Sequence, residues 1–162
     1  MDKNEYIDTN VNKLFIALVP KLCLGGALIF LLLSTLDYVS TPENFRTFLV
    51  YRIAISSLLL LLWLAIHFYK FHSILIYQIL LYIGVLGASL TIELMILKTG
   101  GHTSSYYVGM SIVGIWVISF IPVKFILSLI LMFTVYGTYL FPIVAMETIT
   151  DYRTFFTANA FL

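Results

Sequence analysis

The stretch ILIYQILLYIGVLGASLTIELMIL, residues 74–97, decides the fold. It carries one charged residue, Glu93, in a run otherwise free of charge. About 20 mostly apolar residues suffice for a helix to cross a hydrocarbon core roughly 30 Å thick, so this run has the length and character of a membrane span. Working outward, 22–39, 50–69, 105–121 and 125–146 read the same way. The separators are short and rich in turn or charge signals: Thr41-Pro42-Glu43-Asn44, Lys70-Phe71-His72, Thr99-Gly100-Gly101-His102 and Pro122-Val123-Lys124. Consecutive helices joined by such links are expected to be antiparallel neighbours. The expected fold is therefore all-α, a polytopic transmembrane helical bundle forming one domain over residues 1–162.

Composition agrees with lipid as the solvent. Of 162 residues, 61% are hydrophobic and 10% charged, with a mean hydropathy of +1.02. A soluble domain of this size has too large a surface for its volume to hide that much apolar material from water. A formal net charge of +1, with no block of Lys and Arg, leaves no electrostatic footprint for nucleic acid. The lone cysteine, Cys23, lies in an apolar run beside Gly25 and Gly26 and reads as a small buried hydrophobe.

Ahead of the first span, Ile7, Val11, Leu14, Phe15 and Leu18 recur at helical spacing while Asp8, Asn12 and Lys13 take other faces. Residues 1–20 are thus expected to form an interfacial helix ending near Pro20. Asp2, Glu5 and Asp8 argue against a cleaved signal peptide, whose leading residues are basic. Lys21 is expected to reach toward the headgroups. After the polar stretch Glu147 to Arg153, Phe155-Phe156 and Phe161-Leu162 turn apolar again, so 154–162 reads as the start of a sixth helix, either lying in the interface or continuing in a longer protein. A cytoplasmic N-terminus places Lys3, Lys13, Lys70 and Lys124 inside and Arg46, Arg52, Lys98 and Arg153 outside, which is close to a tie.

The segment Gly100-Gly101-His102-Thr103-Ser104-Ser105-Tyr106-Tyr107-Val108-Gly109-Met110 resembles a Gly-Gly-x-x-Ser-x-Tyr-Tyr-x-Gly-Leu turn. That turn joins the third and fourth helices in the six-helix N-terminal sensor regions of some bacterial membrane histidine kinases and of nucleotide or dinucleotide cyclases. The Pro42-Glu43-Asn44-Phe45-Arg46 link and the Phe155-Phe156-x-x-Asn159-x-Phe161 stretch fit the same order of elements. Ser105 stands where the pattern commonly has proline, and Met110 where it has leucine. The resemblance implies a sensory or anchoring module of a two-component or cyclase signalling protein in the bacterial inner (plasma) membrane, without its catalytic output domain. A homodimer and the lipid bilayer are the partners such modules imply, the ligand being unknown.

Glu93 is the one acidic residue well inside an expected span. Ionisable groups at membrane depth are costly and often functional. Gln78, Tyr82, Ser89 and Glu93 fall at spacings of four, seven and four, one polar stripe that could bind a small ligand, carry a proton, or hydrogen-bond to neighbouring helices. A small transporter or channel subunit using Glu93 is the alternative function. Gly84, Gly87, Ala88 and Thr91, with Gly25 and Gly26, are small enough for close helix contact. His102, Tyr106 and Tyr107 in the Gly-Gly turn are further candidates for ligand contact at the outer face, and the tyrosines also suit an interfacial belt. A haem-binding subunit is a third reading. It is disfavoured because His67 and His72 are expected near one face and His102 at the other. Pro142 is expected to kink the fifth span. With no phosphate-binding Gly-rich loop, paired metal-ligand motif or nucleophile elbow in the sequence, no catalytic residue, metal or cofactor is expected.

Overall fold

The computed structural model describes residues 3–69, 71, 73–120, 125–146, 153 and 155–157. Helices α1 (Lys3–Leu32), α2 (Ser34–Ser40), α3 (Phe45–Tyr69), α4 (Ile74–Lys98), α5 (Tyr107–Phe120) and α6 (Phe125–Met146) follow in order, with a single 3₁₀ turn at Gly101–Thr103 between α4 and α5. No strand occurs among the described residues. Four helical stretches are long and apolar enough to cross a membrane: Thr9–Ser40, Phe45–Tyr69, Ile74–Lys98 and Phe125–Ala145. That architecture is compatible with a multi-pass membrane protein.

Two expectations change. The count of five spans plus a sixth goes beyond these four, because α5 has 14 residues. At 1.5 Å per residue it rises about 21 Å, short of a core about 30 Å thick. Most of 154–162 lies outside the described residues. The second change concerns Pro20, where the expected helix end is absent and α1 continues to Leu32. Proline removes one backbone donor, the one that would bond the carbonyl four residues earlier. The reason the helix survives is visible on its inner face. Phe15, Val19, Cys23, Ala27 and Phe30 form a seam at near-constant spacing of four, all buried, and Pro20 falls between two of its members. Burial along that seam outweighs one missing hydrogen bond. After Leu33 the chain re-enters helix as α2, with the Leu33 amide still bonded to the Ile29 carbonyl at 2.9 Å.

The chain divides into two compact units, and the division falls inside α4, between Gly84 and Val85. In the first, α1 and α2 pack against α3. The α3 side of this core is Phe48, Arg52, Ile55, Ser56, Leu59, Leu62 and Ile66. A Cβ on Gly26 would stand 3.2 Å from Leu59 Cδ1, and one on Gly84 would stand 3.2 Å from Leu59 Cδ2. The branched tip of Leu59 therefore fills the space that two glycines leave open. Ser56 Oγ adds a cross-helix bond, donated to the Ala27 carbonyl at 3.0 Å.

In the second unit α5 packs against α6. Leu131, Val135, Tyr139 and Ile143 form the buried stripe of α6, again every fourth residue, and the helix runs on through Pro142. Gly114 brings α5 close to Met132, and Gly109 brings it close to Ile92 of α4. The outward surfaces of both units are apolar rather than charged. Leu28, Leu32 and Leu61 in the first unit, and Ile126, Phe133 and Phe141 in the second, are well exposed. A protein whose exposed face is as greasy as its core has hydrocarbon, not water, as its natural surroundings.

Candidate functional site

The second unit gathers most of the residues picked out from the sequence. Ser89 and Glu93, one helical turn apart on α4, are buried, with Glu93 only 2% exposed. Ser89 Oγ donates to its own helix, to the Val85 carbonyl at 2.9 Å. Its proton is therefore committed locally, while the oxygen retains acceptor capacity. Gln78 is half-buried on α4 and belongs to the first unit.

Just beyond α4 the Gly-Gly turn is built from its own residues. Gly100 has φ of 103° and Gly101 φ of 57°, both in the left-handed region. A Cβ on Gly100 would also meet Thr103 Oγ1 at 2.8 Å, so both conformation and space demand glycine there. The hydroxyls then lock the fold of the turn. Thr99 and Ser104 pair through their side-chain oxygens, and Thr99 Oγ1 also reaches the Met95 carbonyl at 2.8 Å. Ser104 Oγ accepts from the Tyr106 amide at 3.2 Å, while the Ser104 amide donates to the Gly101 carbonyl at 2.9 Å. Thr103 Oγ1 donates to the Gly100 carbonyl at 2.8 Å.

This closed ring of bonds turns His102 and Ser104 inward, 6% and 3% exposed respectively. Tyr106 and Tyr107 stand half-buried where α5 begins. A short helix-to-helix turn so fixed holds a buried imidazole and two half-buried phenols in set positions. Such preorganisation is what a binding or sensing surface requires. Among the described residues no three His, Cys, Asp or Glu side chains come together in a way that could hold a metal. His67 is exposed near the end of α3, and His102 is buried in the second unit.

A strongly engaged charged pair among the described residues is one the sequence analysis missed. Arg52 Nε lies 2.6 Å from Asp37 Oδ2, and Nη2 lies 3.0 Å from Oδ1, a fork-on-fork pairing of guanidinium and carboxylate. The two side chains are 6% and 2% exposed. The Phe30 ring lies 5.8 Å from the guanidinium carbon, a cation–π contact on the α1 side. A signal was present: Asp37 and Arg52 are opposite charges on the two apolar runs that flank the short Thr41–Asn44 link. Charges on consecutive antiparallel helices joined by so short a link are candidates for pairing.

Compared with family models, with curated proteins and with solved structures, the chain matches none.

Proposed function

We propose that this protein is a membrane-embedded sensory or anchoring module of a bacterial signal-transduction protein, working with a histidine-kinase or cyclase output domain. The observation that carries this reading is the locked Gly100–Tyr107 turn. The positions on which the resemblance rests have structural work there. The two glycines take left-handed backbone, and Ser104 closes the turn and caps the Tyr106 amide. On this reading the bundle has five spans and the beginning of a sixth, with α5 as the short fourth span and 154–162 leading toward the output domain. It lies in the inner membrane with a cytoplasmic N-terminus. Pairing of Arg52 with Asp37 supports that orientation, because a neutralised arginine contributes little to the count of positive charges on the outer side.

The decisive test joins gene and topology. The coding frame beyond codon 162 is expected to continue through a sixth helix into a kinase or cyclase domain. A reporter active only in the cytoplasm is expected to work when fused at Lys70 and to fail when fused at Thr103. A stop codon directly after Leu162, together with the reverse reporter pattern, would overturn the proposal.

Burial of Glu93 favours one second reading, a small transporter or channel subunit. In that case Glu93→Gln abolishes ion-gradient-driven uptake or conductance in proteoliposomes, whereas a sensory module shows no flux in either form.

A further inference from the structure

Two groups of stacked and edge-on aromatic rings, together forming a ladder, mark the end of α3 and its passage into α4. Trp63 and His67 stack with centroids 5.6 Å apart and planes 23° from parallel, and Phe68 meets His67 edge-on. Tyr69 stacks on Phe71 at 5.8 Å and 18°, and Phe71 in turn meets Tyr77 edge-on. Tyr77 is buried, which roots the second group in the first unit. At the ladder's tip Phe68 is 74% and Tyr69 75% exposed.

We infer that this ladder is a docking surface for phospholipid headgroups. It stands where two spans meet the membrane boundary at once, since α3 ends at Tyr69 and α4 begins at Ile74. Water is a poor partner for it, because adjacent large rings three-quarters exposed leave a sizeable apolar surface unburied. The hydrocarbon core is equally poor, because the indole N–H, the imidazole and the phenol would find no hydrogen-bond partner there. Rings with an apolar body and a polar tip are satisfied together only in the glycerol and phosphate layer between the two. The i, i+4 spacing of Trp63 and His67 places the indole one turn deeper than the imidazole. That gradient, apolar below and polar above, matches the gradient of the interface. The inference needs only a multi-pass bundle and is independent of the sensory reading.

Trp63 and Trp116 are the two tryptophans of the chain, so Trp116→Phe leaves Trp63 as the sole indole. The full chain carrying this change is reconstituted into vesicles of phosphatidylcholine and phosphatidylglycerol containing lipids spin-labelled either at the headgroup or deep on the acyl chain. The expected result is that the headgroup label quenches Trp63 emission several-fold more strongly than the deep label. Stronger quenching by the deep label overturns the inference. So does the absence of quenching by either label, the outcome if a second copy of the chain covers the ladder. Should Trp116→Phe impair folding, Tyr69→Cys in the otherwise native chain can carry a fluorophore, because Cys23 is buried. The same label pattern is expected there, and the same reversal refutes it.

Discussion

Two of the reversals in this chain close in opposite ways. Between α2 and α3 the turn at Thr41–Asn44 has ordinary backbone bonds, and a buried ion pair of Asp37, before the reversal, with Arg52, after it, clasps the two helices. Between α4 and α5 closure lies inside the turn itself, in left-handed glycines and hydroxyl bonds within a few residues of one another. One reversal is held at a distance by charge, the other locally by backbone geometry. The difference has consequences for stability: a clasp made of two buried charges fails badly when halved, while a turn made of several neutral bonds weakens by degrees.

The comparison can be broken most forcefully at Arg52. Arg52→Ala leaves the Asp37 carboxylate buried without its guanidinium, and losing one half of a buried pair costs about 3–5 kcal/mol. Heating the solubilised protein with a thiol-reactive dye, whose target Cys23 is buried when folded, is expected to give a much lower transition temperature. Joint replacement by Asp37→Leu and Arg52→Met is expected to recover most of the loss. No recovery would mean that the clasp contributes more than charge compensation.

Gly100→Val comes next, since it forces a β-branched residue to φ of 103° and into Thr103, for which about 2 kcal/mol is expected. The same thermal assay reads it, and an unchanged transition would show that the left-handed turn is dispensable. Ser104→Ala removes both a hydroxyl pair and the acceptor for the Tyr106 amide, at about 1 kcal/mol. Faster amide exchange at Tyr106 should accompany it, and this sharpens the contrast by showing graded rather than abrupt loss. The smallest effect belongs to Gly137→Ala. An added Cβ there meets nothing within 4 Å, and alanine favours helix by about 0.5–1 kcal/mol, so the transition should stay level or rise slightly. A marked fall in the transition would reveal a neighbour pressed against that face of α6.

The same distinction explains how much could be read in advance. Helices 74–97 and 125–146 were legible because hydrophobic length is a local property, and α4 and α6 occupy nearly those ranges. The Gly-Gly turn was legible for the same reason, its partners lying within eight residues of each other. Pro20 misled because the residue's effect on backbone bonding is local, whereas the seam from Phe15 to Phe30 that carries α1 through it exists only against α3. Arg52 was read as an outer charge and Asp37 passed without comment, because their meaning depends on a partner fifteen positions away. Ser89 and Glu93 were placed on one face correctly by spacing. That spacing could not tell that the Ser89 hydroxyl bonds back to its own helix.

The clasp also bears on how the protein is made. An arginine or an aspartate on a helix that enters a bilayer carries a penalty, reaching about 2.5–3.5 kcal/mol at the helix centre. Asp37 leaves the ribosome before Arg52, on the segment directly preceding α3. Neither helix need cross with its charge exposed if the nascent chain folds back at Thr41–Asn44 and the two partition sideways from the translocon as one neutral hairpin. The clasp is then a condition of biogenesis as much as of the finished fold: a ribosome-bound chain extended past Tyr69 by a polar linker long enough to clear the exit tunnel should integrate its second segment efficiently with Asp37 in place and poorly with Asp37→Ala.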